Sequence, residues 1–477
     1  MDTNRREFVV AAGSALATSI FTANLKGAND RIAMGFIGVG VMGQINLDLA
    51  MKQPGVQIAA ICDVYRPNLE SAVAAAAKEG HQPRSYKDFR DLLADKSIDA
   101  VCISAPDHWH ALMTVEACKA GKDVYVEKPA CTFVDEAPRM VEAARKYNRV
   151  VQGGTQSRSA GHMPAIREIL ASGQLGAITF VRVWDYSLEP REGIGNPPDS
   201  APPKGLDWDM WLGPAPKRPF NQNRFQTQRG VWSSFRYYWD YAGGRVTDTG
   251  VHLIDLVQMA FQEAAPTAVT SLGAKTYLKD SRDSPDTQIC TYQYPEFLMA
   301  YELRYGNAQS MIGRGSGIMI FGSKGTLCFG RPPAYQIYPE QIPVLAPINT
   351  VGTMPPLTPD HKAMLESLGG MRVPKETLAE FSFLKTGPAE TPAPSVVVSL
   401  EPTQSHWADF IQCIRTRQKP VGDIEYVARS SVTGLLGNVA LLAKIRVDWD
   451  PKTWTSPQKE ARALMAYKYR APWKLEV

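Results

Sequence analysis

Cysteine is scarce in this 477-residue sequence: there are seven, and no two form a Cys-x-x-Cys pair. Cys62, Cys102, Cys118, Cys131, Cys290, Cys328 and Cys413 are scattered and odd in number. That excludes a disulfide framework or a zinc site, and most of them read as small core hydrophobes. An excess of either charge is also missing. Lys and Arg total 52 against 48 Asp and Glu, a net +4, too balanced over this length to build the basic field that nucleic acid requires. No internal repeat is present. The uncharged stretch from Phe8 to Leu25 is diluted by Ala, Gly, Ser and Thr, so no stable membrane span is expected. What remains is a composition of 44% hydrophobic and 21% charged residues, ordinary for a folded chain with room for two or three domains.

Residues 1–30 read as an address. Arg5 and Arg6 precede Phe8 and the uncharged stretch, a plan that resembles the twin-arginine export signal and predicts a periplasmic protein. No clean Ala-x-Ala follows, so cleavage anywhere between Ala17 and Asp30, or retention as an anchor, stays open.

From Arg31 to Gly154, apolar runs at 32–37, 56–62, 100–104, 124–126 and 150–152 alternate with helix-like segments at 42–52, 68–79, 111–120 and 135–147. Strands buried on both faces read as continuous apolar runs, so the spacing predicts an α/β doubly wound parallel sheet. Residues 155–477 change texture. A helix over 163–172, a strand over 178–186 and an amphipathic segment over 248–262 precede strand candidates near 268–278, 287–294, 299–304 and 308–312. This is the pattern of an α+β domain with a large, mostly antiparallel sheet. Thirteen of the 35 prolines lie between Arg331 and Pro402, a Pro-rich insert of covering or loop; helices at 406–416 and 425–445 follow.

The first apolar run enters Gly38-Val39-Gly40-Val41-Met42-Gly43, a G-x-G-x-x-G between strand and helix. Gly38 permits the turn, Gly40 lets backbone approach a pyrophosphate, and Gly43 lets helix pack on strand. The N–H groups of the helix start, at Val41 and Met42, face the anion. Asp63 stands 20 residues beyond Gly43, where a carboxylate accepts ribose hydroxyls and repels a 2′-phosphate. NAD is therefore favoured, with NADP the weaker alternative because Arg66 is near.

The next strand ends carry Ser104-Ala105-Pro106-Asp107-His108-Trp109-His110 and Glu127-Lys128-Pro129, at the edge where such sheets bind ligands. Asp107, His108 and His110 are metal-ligand types, but one turn does not close a coordination sphere, and no metal is expected. Downstream, Asp248, His252 and Asp255 share a narrow polar stripe at i, i+4 and i+7 on an otherwise apolar helix, which borders either water or a cleft.

The fingerprint, the Pro106-Asp107-x-x-His110 turn and Glu127-Lys128-Pro129 together resemble the Gfo/Idh/MocA family over roughly residues 31–330. Family members more often carry Asn at the position of Asp107. The resemblance implies an N-terminal Rossmann domain over 31–154 and an NAD(P)-dependent oxidoreductase acting on a sugar CH–OH. It implies Ser104, Pro106, His110, Glu127, Lys128 and Gln156 as further cofactor contacts, with Glu127 on the nicotinamide ribose and a cis bond before Pro129. Lys128 would stabilise a developing alkoxide, His252 would take the hydroxyl proton and Asp248 would orient it and bind a second hydroxyl. Arg158 is a substrate-contact candidate or an ordinary salt bridge. Trp184 and Tyr241 belong to an aromatic, arginine-rich stretch that suits either a carbohydrate subsite or a core. Members also commonly bury an open sheet face against another copy, so a dimer or tetramer is expected. Export adds a constraint: with no external nicotinamide pool, the cofactor should stay bound and be recycled internally. A glycosidase or epimerase working through a transient keto sugar, or a non-catalytic sugar-binding protein, are the alternatives.

Overall fold

A computed structural model describes residues 31–228, 230–330, 334–340, 395–397 and 405–477. The twin-arginine segment and most of the Pro-rich insert lie outside them. Six parallel strands build the first sheet: β1 (Ile32–Ile37), β2 (Val56–Cys62), β3 (Arg84–Tyr86), β4 (Ala100–Ile103), β5 (Asp123–Val126) and β6 (Val151–Gly153), in the order β3-β2-β1-β4-β5-β6. The reversal of strand order between β1 and β4 opens a crevice at their carboxyl ends. Strands β1, β4 and β5 are almost wholly buried, which is why each reads as an unbroken apolar run. β3 gave no such signal because it is a short, largely exposed edge of Arg, Ser and Tyr.

The second sheet has nine strands: β7 (Ile178–Tyr186), β8 (Ala268–Ala274), β9 (Thr287–Gln293), β10 (Leu298–Arg304), β11 (Ser316–Gly322), β12 (Gly325–Phe329), β13 (Tyr335–Pro339), β14 (Ser395–Val397) and β15 (Val447–Asp448). Their order is β14-β13-β12-β11-β7-β10-β9-β8-β15, antiparallel throughout except for β7 beside β10. Helices Gly250–Ala260 and Ile424–Ala443 pack between the sheets, and every residue of the first is buried. A helix apolar on nearly all sides must sit in a core.

Two expectations are corrected. Residues 308–312 form no strand. The Asn307 side chain accepts from Gln309 N at 2.7 Å, and Arg304 donates to the carbonyls of Asn307 and Gln309, so local side-chain bonds hold a loop. The helix His406–Thr416, placed by sequence in the second domain, seats Trp407, Phe410, Ile411 and Cys413 in the core beneath β1 and β5. Trp407 stacks on Tyr125 at 4.4 Å between ring centroids. All seven cysteines are buried and unpaired, and among the described residues no helix is long and apolar enough to cross a membrane.

Candidate active site

A cavity of about 580 Å³ opens at the carboxyl ends of β1, β2, β4 and β5 and runs to the start of the helix Gly250–Ala260. Its floor is the glycine turn. Gly38 has φ +81°, and a Cβ there would lie 2.7 Å from the backbone N of Ala105. A Cβ on Gly43 would lie 2.1 Å from the Gly38 carbonyl oxygen, so this glycine packs the helix against the turn and does not itself line the cavity. Gly40 is different: a Cβ there meets nothing within 4 Å, because the space above it is cavity. The helix that follows, Val41–Met51, has no capping side chain and no acidic residue in its first turn, which leaves its N-terminal N–H groups and positive dipole end for an anion. The turn thus fits a pyrophosphate.

Asp63 accepts from the N–H groups of Val39 and Tyr65, each at 2.8 Å, and faces the same cavity. Burial raises its carboxyl to about 6 despite those bonds, and its remaining lone pairs are available to ribose hydroxyls. Arg66 is not part of the cavity wall and lies 3.7 Å from Glu70.

Glu127 is buried at the end of β5 and held from several sides. Asn46 donates to it at 2.9 Å and Gln156 at 3.3 Å, and the N–H of Lys128 donates at 3.2 Å. Asn46 also bonds Ser104 at 3.1 Å, tying the ends of β4 and β5 together. Burial raises the Glu127 carboxyl above its ordinary range, with Asn46 opposing the shift. His110 reaches the carbonyl of Pro129 at 2.7 Å and that of Ala105 at 2.8 Å, so it braces the two strand-end turns against each other. The Lys128–Pro129 peptide is cis.

From the second domain comes the opposing wall. Lys128 Nζ donates to Asp248 Oδ1 at 2.8 Å and to the Asp248 carbonyl at 3.1 Å, while Arg236 lies 3.3 Å from Oδ2. Burial works against the charge on Asp248, but Lys128 and Arg236 overcome it and hold its carboxyl far below the ordinary range. It is a permanent carboxylate. His252, four residues on, lines the same cavity, so two domains contribute Lys128, Asp248 and His252 to its wall. A cation, a fixed anion and an imidazole beside a nucleotide-shaped cradle can bind a polyhydroxylated substrate, move a hydroxyl proton and stabilise an oxyanion.

Three expected substrate contacts lie elsewhere. Arg158 is buried and pairs twice with Asp255 at 2.8 Å and with Glu263 at 2.8 and 3.0 Å, outside the cavity wall. Asp255, third in the polar stripe, therefore anchors Arg158 while Asp248 and His252 face the cavity. Trp184 points to the far side of the second sheet, where its indole donates to the Arg314 carbonyl at 2.9 Å. Tyr241 is fully buried against Trp211 and His108 in an aromatic core. His108 itself is bonded to the Trp211 carbonyl at 3.1 Å, and among the described residues no group of His, Cys, Asp and Glu is placed to hold a metal.

Sequence reasoning missed Asn46, Arg236 and the cavity-wall residues Gln226, Thr227 and Gln228. Asn46 had a signal: a polar residue on the buried face of the first helix, next to Leu47, needs a partner. It also left Asp107 without a role. Burial lifts that carboxyl from an ordinary 3.8 to about 7, against the pull of Lys128 and Arg236. Because the folded value is raised, its favourable contribution is complete below about pH 4 and is lost as pH climbs through about 7. Asp107→Asn is accordingly expected to raise the melting temperature at about pH 8 and to change it little at about pH 4, as read by scanning calorimetry. An equal change at both values would contradict this electrostatic reading.

Known proteins place the chain. An inositol 2-dehydrogenase from Rubrobacter xylanophilus is 32% identical over 172 residues, covering 36% of this chain and 48% of the relative. A glycosyl hydrolase family 109 protein from a Shewanella species is 33% identical over 174 residues, covering 31% of this chain and 38% of the relative. The matched stretch thus spans about half the length of these curated relatives or less. The WlbA dehydrogenase from Bordetella pertussis, solved with NADH and UDP-GlcNAcA, shares the fold at a TM-score of 0.57 and 17% identity, covering 88% of this chain and 99% of that one. Residues 32–155 match the family model described as oxidoreductase family, NAD-binding Rossmann fold, and residues 166–289 match the C-terminal alpha/beta domain of the same family. With both domains matched in order across just over half its length, this chain belongs to the Gfo/Idh/MocA family, and its first domain is an NAD-binding Rossmann domain.

Proposed function

We propose that this protein oxidises a ring carbinol of a sugar or sugar derivative, with NAD held tightly and returned to its starting state within each cycle. The observation that carries the reading is the Lys128–Asp248 pair at 2.8 Å, set with His252 in the wall of the cavity that the glycine turn floors. Gly38, Gly40 and the helix start would hold the pyrophosphate, Asp63 the adenosine ribose and Glu127 the nicotinamide ribose. The nicotinamide supplies hydride acceptance and return. His252 takes the proton of the hydroxyl being oxidised, and the Lys128 ammonium stabilises the oxygen as negative charge develops on it. Asp248, anionic at every working pH, fixes that ammonium and accepts a neighbouring hydroxyl.

Export by the twin-arginine route, suggested by Arg5 and Arg6, belongs to the same proposal and is the reason for an internally recycled cofactor. The match to glycosyl hydrolase family 109 proteins favours a second reading, in which transient oxidation labilises a neighbouring C–H and leads to hydrolysis or epimerisation. Assembly into a dimer or tetramer is supported by an apolar patch on the open face of the second sheet. Leu272 and Ile289 stand opposite each other there, 82% and 52% exposed.

The test is purification without added cofactor, nucleotide analysis of the denatured protein, and a panel of sugars and glycosides followed by product mass. Bound NAD in the preparation and a keto, epimerised or cleaved product are expected. A nucleotide-free protein that alters no sugar even with NAD supplied would overturn the reading.

A further inference from the structure

Arg236 lines the cleft yet has no part in the proposed oxidation beyond steadying Asp248. Its guanidinium lies 5.5 Å from the ring centre of Trp232 and 5.2 Å from that of Phe235, and only 14% of the side chain is exposed. An arginine packed against aromatic rings in this way is held as a planar edge rather than as a loose tether.

Three cations converge there on one carboxylate. Lys128 holds Asp248 Oδ1 at 2.8 Å, while Arg236 at 3.3 Å and Arg245 at 3.9 Å share Oδ2. Arg245 is answered separately by Asp185 at 2.6 Å. Among the described residues this ion-pair cluster therefore sets three cations against two carboxylates, one positive charge in excess. Its members are at most 25% exposed, so water screens the excess poorly and an unanswered charge is costly. Two other carboxyls feel Lys128. Burial raises both, Asp107 to about 7 and Glu127 above its ordinary range, so each is biased toward its neutral form and neither restores the balance in full. Arg236 is also loosely engaged: it comes no closer to Asp248 than 3.3 Å, at Nε, beyond the roughly 2.7–2.9 Å of a charge-assisted hydrogen bond. Asp248 does not saturate it.

The excess selects its occupant. A hydroxyl would accept from a guanidinium N–H but leave the charge unanswered, and a phosphate ester would bring more negative charge than the cluster lacks. A carboxylate is planar, singly charged and shaped to a guanidinium edge. We infer that Arg236, with Arg245 beside it, receives a carboxylate of the substrate, so that the sugar oxidised in this cleft is a uronic acid or a glycoside of one. The inference rests on the reading of the cleft given above and names its substrate class.

The probes are glucuronate and galacturonate, each set against its neutral amide and the parent aldose, with glucose 6-phosphate as the more highly charged anion. They are offered to the NAD-loaded protein; calorimetry reads binding and product mass reads turnover. At least one uronate is expected to bind roughly 10- to 100-fold more tightly than its amide, the scale of a hydrogen bond to a charged group. That comparison needs no variant. Arg236→Gln should remove most of the preference and Arg236→Lys should restore part of it, with nucleotide content retained in both. Uronates that bind no better than their amides or not at all, tighter binding of the phosphate, or a preference that survives Arg236→Gln would overturn the inference. The two arms keep the claims apart: a uronate that binds through Arg236 but is never altered would sink the oxidation and leave the anion site, while turnover confined to neutral sugars would do the reverse.

Discussion

Replacing Arg158 by alanine is expected to destabilise the protein by about 3–5 kcal/mol, the range found when one partner of a buried ion pair is removed. The guanidinium is buried against Asp255, itself fully buried, and reaches Glu263 beyond it. Without Arg158, the buried Asp255 keeps the hydroxyl of Ser430, at 2.6 Å, but loses its cation. Denaturant unfolding reads the loss. At temperatures where the variant is folded, its KM for sugar should match the parent, because Arg158 does not reach the cavity. A normal stability with a raised KM would return Arg158 to the substrate.

The second large effect concerns turnover. Lys128→Ala should lower kcat/KM for the oxidised sugar by roughly 10²- to 10⁴-fold, the scale of a lost proton-transfer or oxyanion-stabilising group. Nucleotide content should be retained, since the glycine turn and Asp63 are untouched. Asp248 keeps Arg236 at 3.3 Å and Arg245 at 3.9 Å, so the carboxylate survives the change and the fold should too. His252→Ala should show a loss of similar size, and the double variant should fall well short of the product of the two, because the groups act on one hydroxyl. Steady-state assays on the three variants decide this; single losses that simply multiply would argue that the two side chains serve different steps.

How much of this was legible in the sequence follows from what each position depends on. β7 and the helix His406–Thr416 match their expected bounds because hydrophobic period and local caps define them, as Ser405 does for the helix. The glycine turn was readable because only glycine fits at Gly38 and Gly43. The direct pairing of Lys128 with Asp248, 120 residues apart, was not legible at all, since no local pattern encodes a long-range contact; resemblance supplied only that both residues belong to one site. Trp184 shows the opposite failure. Alternation along β7 puts Asp185, joined to Arg245 at 2.6 Å, on one face of the sheet and Trp184 on the other, and composition alone could not say which face met the cavity. The amphipathic segment expected over 248–262 is in fact two helices, Arg245–Asp248 and Gly250–Ala260, meeting at Thr249. Tyr241 and the other aromatics of 208–241 pack mainly on one another, a choice between core and subsite that depends on neighbours far along the chain.

The most direct check on the account is a single mixing experiment. Protein carrying its bound nucleotide is combined with the preferred sugar, and the near-ultraviolet absorbance of reduced nicotinamide is followed through the first turnover. A rapid rise in the parent that is absent or slowed by orders of magnitude in Lys128→Ala and His252→Ala is the predicted result. A parent that binds both nucleotide and sugar yet shows no such absorbance, or variants that reproduce it at the parental rate, would contradict the assignment of this cavity to sugar oxidation.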